Sequence, residues 1–390
     1  MRTIKAFFAA CVVSACATSE PTAIHTLDGR MLTPVSIDST VERLMAANDV
    51  KGLALALIRN GEVVYVRAYG MRDVESALPL QTDTIMYGAS LTKATFAYMV
   101  MELVDEGRID LDRSIADYLP EQLPDYEDYA SLAGDERWRR LTPRILLSHT
   151  SGLANLRWLE PDQQLHFHRE PGARYGYSGE GVYLLQFVLE QGLGLVVGVE
   201  MQRRVFDRFA MTRTSMTWRD DFADNNTQGY QLDGALEPHD HRDNVSAAGS
   251  MDTTITDWSR FLAGFARGDG LSAASHREML RQQIAINSAA QFPSLTEATT
   301  EAYRAINLGY GLGWGLYDTP FGRAFFKEGH NDSTANYAMC VAARRDCVVL
   351  MSNSVRAEGI FLPLVDELMG RTNLPWAWEG YTPYDYLGEH

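Results

Sequence analysis

Ser90-Leu91-Thr92-Lys93 sets a hydroxyl and an amine three residues apart at the start of an amphipathic stretch, which in a helix puts both on one face. Such a serine is a nucleophile if a neighbour takes its proton, and the free N–H groups at a helix N-terminus can hold an oxyanion. The pattern alone is weak, because a serine at a helix start is most often a cap. Cation usage sharpens it. Of 35 Lys+Arg only Lys5, Lys51, Lys93 and Lys327 are lysines, leaving 31 arginines. Arginine stays charged in a protein, whereas a desolvated lysine can lose its proton near neutral pH. Lysine at 93 and 327, in a chain whose default cation is arginine, marks places where arginine cannot do the same work.

The elements that must position these groups read as α+β. Residues 36–47 have helical spacing; 53–59 and 63–69 flank Asn60-Gly61, a two-residue hairpin signal. Residues 90–106 form an amphipathic helix stopped at Gly107. From about 110 to 254 the pattern is helices and loops, clearest at 142–148, 179–190 and 199–209, and predicts an all-helical lobe. Strand character returns at 311–317, 323–327, 335–343 and 347–353, with a helix near 360–369. The expected architecture is an antiparallel sheet drawn from both ends of the chain, flanked by helices, with the helical lobe inserted and the cleft at the boundary. Residues 36–375 make this domain, between a tether over 16–35 and a tail over 376–390.

Six motifs in order, Gly88-Ala89-Ser90-Leu91-Thr92-Lys93, Ser148-His149-Thr150-Ser151-Gly152, Tyr175-Gly176-Tyr177-Ser178-Gly179, Ala247-Ala248-Gly249-Ser250, Tyr310-Gly311-Leu312-Gly313 and Lys327-Glu328-Gly329, resemble the serine β-lactamase-like family. That family includes class C β-lactamases, D-alanyl-D-alanine carboxypeptidases, D-amino-acid peptidases and some esterases. The resemblance implies a β-lactamase/transpeptidase-like fold and a cofactor-free acyl-enzyme on Ser90. It implies Lys93 as base, Tyr177 as a phenol whose pKa the cationic pocket lowers, and Lys327 and Gly329 on a strand beside the cleft. The backbone N–H of His330 would join that of Ser90 as oxyanion donor, or its ring would contribute instead. His149 reads as packing within a structural turn. Two positions depart from the pattern. Many relatives carry an asparagine two residues after the tyrosine, where this chain has Gly179, so that side-chain hydrogen bond is expected to be missing. Glu328 replaces a small hydroxyl or aromatic residue; it pairs with Lys327, repels an acidic substrate, or turns away by strand alternation. Both departures favour a D-amino-acid peptide or small ester over a β-lactam.

Three other readings compete. One is an efficient β-lactamase. Another is a non-catalytic penicillin-binding or sensor lipoprotein. The third is a zinc hydrolase, because His239, His241 and Asp243 reproduce part of a His-x-His-x-Asp-His pattern. A net charge of -16 with no basic cluster excludes nucleic acid as partner. The N-terminus reads as an export signal: Arg2 and Lys5, then an apolar run to Ala15, too short to span a bilayer, ending in Val13-Ser14-Ala15-Cys16. That ending resembles a bacterial lipobox and implies cleavage before Cys16, lipidation of its thiol and a membrane-anchored periplasmic protein. Cys11 falls within the signal. Cys340 and Cys347 flank a hairpin centred on Arg344-Arg345, a register that does not set them opposite each other, so two buried free thiols are expected.

Overall fold

A computed structural model describes residues 23–385; the signal segment with Cys11, and Cys16, lie outside them. Helix α1 (Pro34–Ala47) leads into strand β1 (Gly52–Arg59), and β2 (Glu62–Asp73) returns alongside it. Asn60 and Gly61, at φ 51° and 80°, turn the chain between Arg59 and Glu62 in a left-handed conformation that asparagine tolerates and glycine, lacking a Cβ, adopts freely. Helix α2 (Leu91–Asp105) follows, then the lobe with α3 (Gly179–Leu193), then α4 (Ile255–Arg267). The chain closes with β3 (Gly315–Thr319), β4 (Gly322–His330), β5 (Ala335–Val341), β6 (Asp346–Ser352) and α5 (Glu358–Met369).

Among the described residues the main sheet has nine antiparallel strands, ordered 284–285, 309–310, β3, β4, β5, β6, β1, β2 and 78–79. Thus β6 from the C-terminal part pairs with β1 from the N-terminal part, as the sequence predicts. Side-chain alternation divides the core in two. Leu53, Leu55 and Leu57 of β1 face the cluster that includes Ile360 and Leu364 of α5; Ala54, Ala56 and Ile58 face the one that includes α2 and α4. The small alanines on that second face let the helices approach closely, and β1 is buried along nearly its whole length.

Three expectations change. Cys340 and Cys347 form a disulfide. The turn is centred one residue earlier than Arg344-Arg345, with Val341 opposite Asp346, and this puts the cysteines directly across from each other. The lobe adds to its helices a small hairpin of 229–230 against 236–237 and a strand at 252–253 that pairs with 86–87. The segment after 375, expected as a tail, turns back through a helix (Trp376–Glu379) and buries Trp378 and Tyr381 in the core. Burial of those aromatic rings outweighs the cost of ordering so short a segment, and four residues are too few to show a period in sequence.

Candidate active site

Ala89 sits at φ 46°, a left-handed conformation that turns the chain sharply from the strand at 86–87 into α2. Ser90 takes the N-cap position, yet its hydroxyl makes no capping bond. Instead Ser90 Oγ accepts from Lys93 Nζ at 3.0 Å. The Lys93 amine also donates to the carbonyl of Ala248 at 2.6 Å, which fixes it from the lobe side. Among the described residues no carboxylate forms an ion pair with it, although Glu328 acts on it from a distance. Burial, helped by the charge of Lys327, therefore drives the Lys93 pKa well below the usual lysine value.

Lys327 has the opposite environment. Its amine donates to Glu328 Oε1 at 2.8 Å and to Tyr177 Oη at 3.2 Å, and Gln291 Nε2 donates to the same carboxylate at 2.8 Å. Burial would strip its charge, but Glu328 and Tyr177 outweigh it and its pKa is raised; Glu328, held by Lys327, is lowered despite burial. Glu328 lines the cleft and pairs with Lys327, which settles the direction that strand alternation had left open. Two lysines whose pKa values are shifted in opposite directions thus stand about 5 Å from the same Tyr177 ring, at 5.1 and 5.0 Å.

Burial raises the Tyr177 pKa, against the opposing pull of Lys327 and of the Ser90 hydroxyl. This corrects the expected lowering: the site holds a phenol, because desolvation outweighs the cationic field. His149 positions that phenol. Its Nδ1 accepts from the Ser178 backbone at 3.1 Å, its ring lies 4.3 Å from that of Tyr177, and its carbonyl accepts from Gly176 N–H. Burial lowers its pKa far enough to keep the imidazole neutral.

Gly329 packs β4 against the nucleophile turn. A Cβ there would meet Gly88 O at 2.8 Å, Leu91 N at 2.9 Å and Ser90 N at 3.0 Å. The glycine keeps the space in front of the Ser90 N–H open, so Gly329→Ala is expected to cut kcat/KM by at least roughly 10²-fold, the scale of losing one oxyanion donor. The check is steady-state kinetics together with a melting curve. His330 ends β4; its Nδ1 bonds Glu358 Oε1 at 2.7 Å, and although burial disfavours its charge, Glu358 outweighs burial and raises its pKa.

The missing asparagine at 179 has a spatial substitute that the sequence does not signal. Asn155, 24 residues earlier, places Oδ1 3.0 Å from the Gly179 N–H and lines the cleft with Ser90 and Tyr177. The zinc pattern comes apart in space: His239 bonds Asp252 at 3.1 Å, His241 stacks on Trp218 at 3.7 Å, and Asp243 is exposed. Among the described residues no group of three or more His, Cys, Asp or Glu is arranged to hold a metal ion.

Fold and family together make this a serine hydrolase. The model of the Beta-lactamase family matches residues 37–362, and this chain belongs to that family. Relatives include Esterase EstB of Burkholderia gladioli, 34% identical over 137 residues, or 35% of this chain and 33% of that protein. This alignment thus spans about a third of the esterase. Penicillin-binding protein 4 of Amycolatopsis lactamdurans is 25% identical over 84% of this chain and 87% of its own. Among solved structures, a β-lactamase/D-alanine carboxypeptidase from Pseudomonas syringae superposes with a TM-score of 0.67 at 17% identity, over 85% of this chain and 97% of that one. At that identity the likeness speaks for the fold.

Proposed function

We propose that this serine hydrolase cleaves a carboxylate-free ester, or the corresponding amide, through an acyl-enzyme on Ser90. The observation that carries this reading is the pair of lysines with different partners: Lys93 held against Ser90 Oγ with its pKa driven down by burial and Lys327, and Lys327 already paired with Glu328. Ser90 Oγ attacks the carbonyl carbon while its proton passes to Lys93 Nζ. The Ser90 and His330 backbone N–H groups hold the oxyanion. As the tetrahedral intermediate collapses, the proton reaches the leaving oxygen or nitrogen through the Tyr177 phenol. Water then attacks the acyl-enzyme, Lys93 takes its proton, and Ser90 Oγ leaves with that proton while the acid departs.

A substrate carboxylate finds no free cation at Lys327 and meets Glu328 instead, which disfavours β-lactams and C-terminal peptide carboxylates. Glu328→Thr is expected to raise the rate of Ser90 acylation by a penicillin at least about tenfold relative to a neutral ester. An unchanged ratio would remove Glu328 from substrate selection.

The pH profile follows from the two shifts. Protonation of Lys93 stops proton abstraction, so kcat/KM falls as pH drops through its pKa, and the rising limb lies well below the 10.5 of an ordinary lysine. Loss of the raised Tyr177 proton sets a falling limb above 10. The measurement is kcat/KM against pH with a non-titrating ester.

The test of the function is intact-protein mass spectrometry after incubation with a fluorophosphonate, a penicillin and an activated short-chain ester. Fluorophosphonate labelling of Ser90 with ester turnover and no stable penicilloyl adduct supports the reading; a stable penicilloyl adduct moves the chain toward penicillin-binding peptidases; no adduct on Ser90 sinks the catalytic role. We also infer export and a lipid anchor at Cys16, supported by the Val13-Ser14-Ala15-Cys16 pattern. Membrane fractionation of Cys16→Ala tests it, with release of the protein as the expected result.

A further inference from the structure

We propose that residues 155–159 form an acyl subsite that selects an ester whose acyl group is apolar and long enough to reach Trp158 and Leu159, with Asn155 Nδ2 donating to an acceptor at its inner end. This rests on the serine-hydrolase reading of Ser90.

The strip is held rigidly. Asn155 uses both its acceptors on the start of α3, Oδ1 on the Gly179 N–H at 3.0 Å and its carbonyl on the Glu180 N–H at 2.9 Å. An N–H facing the carboxamide fixes its orientation, so Nδ2 points away from Gly179 and donates to no protein group among the described residues. Glycine at 179 eases this approach, because a Cβ there would lie 3.0 Å from Asn155 O and 3.1 Å from Leu156 Cδ2, tighter than ordinary packing. Arg157 then clamps the next turn. Its backbone N–H bonds Glu180 Oε1 at 2.8 Å, and its guanidinium bonds Oε2 at 3.0 and 2.8 Å, with the Glu180 side chain buried.

What this clamp holds out is apolar. Trp158 and Leu159 are 56% and 67% exposed and both line the cleft that contains Ser90. Leu232, 68% exposed, lines the same cleft from the hairpin at 229–237, which is pinned by Tyr230 N–H bonds to the carbonyls of Ser333 and Asn353. Phe292 and Val355 add to the wall. Large apolar side chains fixed in water beside a nucleophile form a binding surface. They line a concave cleft of about 1370 Å³ continuous with Ser90, which suits a substrate chain better than a flat protein face or a bilayer.

The test uses a series of p-nitrophenyl esters from acetate to octanoate. The unmodified enzyme is expected to prefer the longer chains, and Trp158→Ser or Leu159→Ser to lower the octanoate-to-acetate ratio of kcat/KM about tenfold. Val35→Ser, on an exposed face of α1 outside the cleft, serves as the control for a general surface effect. Asn155→Asp keeps the acceptor for Gly179 but loses the donor, and is expected to raise KM about tenfold for esters bearing an acceptor on the acyl group, with a smaller change in kcat. Unchanged ratios in the Trp158 and Leu159 variants overturn the subsite. A ratio that stays constant while sedimentation shifts to a smaller species overturns it in favour of an interface between two copies of the chain. Failure of the fluorophosphonate to label Ser90 overturns the hydrolase reading itself, whereas a labelled enzyme with a flat chain-length profile overturns only the subsite.

Discussion

Ser90→Ala is expected to lower kcat for ester hydrolysis by roughly 10⁵-fold or more while leaving the fold intact, since nucleophile removal in acyl-transfer enzymes costs on that scale. The expectation of an intact fold comes from what the hydroxyl does. It caps no helix, and its partner Lys93 keeps the Ala248 carbonyl when the serine is gone. The loss of stability should be about 1 kcal/mol or less, the net worth of one hydrogen bond. Stopped-flow or single-turnover assays with an activated ester, alongside a melting curve, make the measurement. Residual burst kinetics in the alanine variant would assign the nucleophile elsewhere.

Lys93→Arg is expected to lower kcat/KM by roughly 10³- to 10⁴-fold, the upper range of general base catalysis, although it conserves formal charge. In the proposed role the amine can give up its proton because burial and the charge of Lys327 lower its pKa more than Glu328 raises it. A guanidinium in the same place stays charged. It would also put an unpaired, bulkier cation into a packed site, so the variant should lose stability as well. Lys93→Met separates the two effects: it fills similar space with no charge, should fold, and should be as inactive as the arginine variant. Undiminished activity in Lys93→Arg would remove lysine from the role of base.

The sheet was legible because its signals are local. The Asn60-Gly61 turn, the alternation through 53–59 and the amphipathic run after Ser90 each carry their own period or turn chemistry, and each stands where expected. The cysteine pairing was misread by the smallest error that matters. A shift of one residue in the centre of the turn changes which residues face each other, and the turn residues Ala342 to Arg345 carry no strong type preference. The C-terminal aromatic segment was missed because its burial depends on a surface made by Tyr337, Phe326 and Phe361, distant in sequence.

Within the candidate site, spacing and the rarity of lysine pointed to Ser90, Lys93 and Lys327, because a nucleophile and a base that can lose its proton are demands of chemistry that few side chains meet, and the resemblance to the serine β-lactamase-like family added Tyr177. Protonation states were decided only by the tertiary structure. Whether a lysine pKa is lowered or raised depends on burial and on its nearest partners: both amines are buried, but Lys327 bonds Glu328 and Tyr177 whereas Lys93 bonds the Ser90 hydroxyl and the Ala248 carbonyl beside the Lys327 charge. The same holds for Asn155, whose place beside Gly179 follows from a close backbone approach between segments 24 residues apart. Composition and spacing determined which groups the chain possesses; packing decided which of them carry charge, and which face the cleft, because desolvation and hydrogen-bond geometry exist only once distant segments meet.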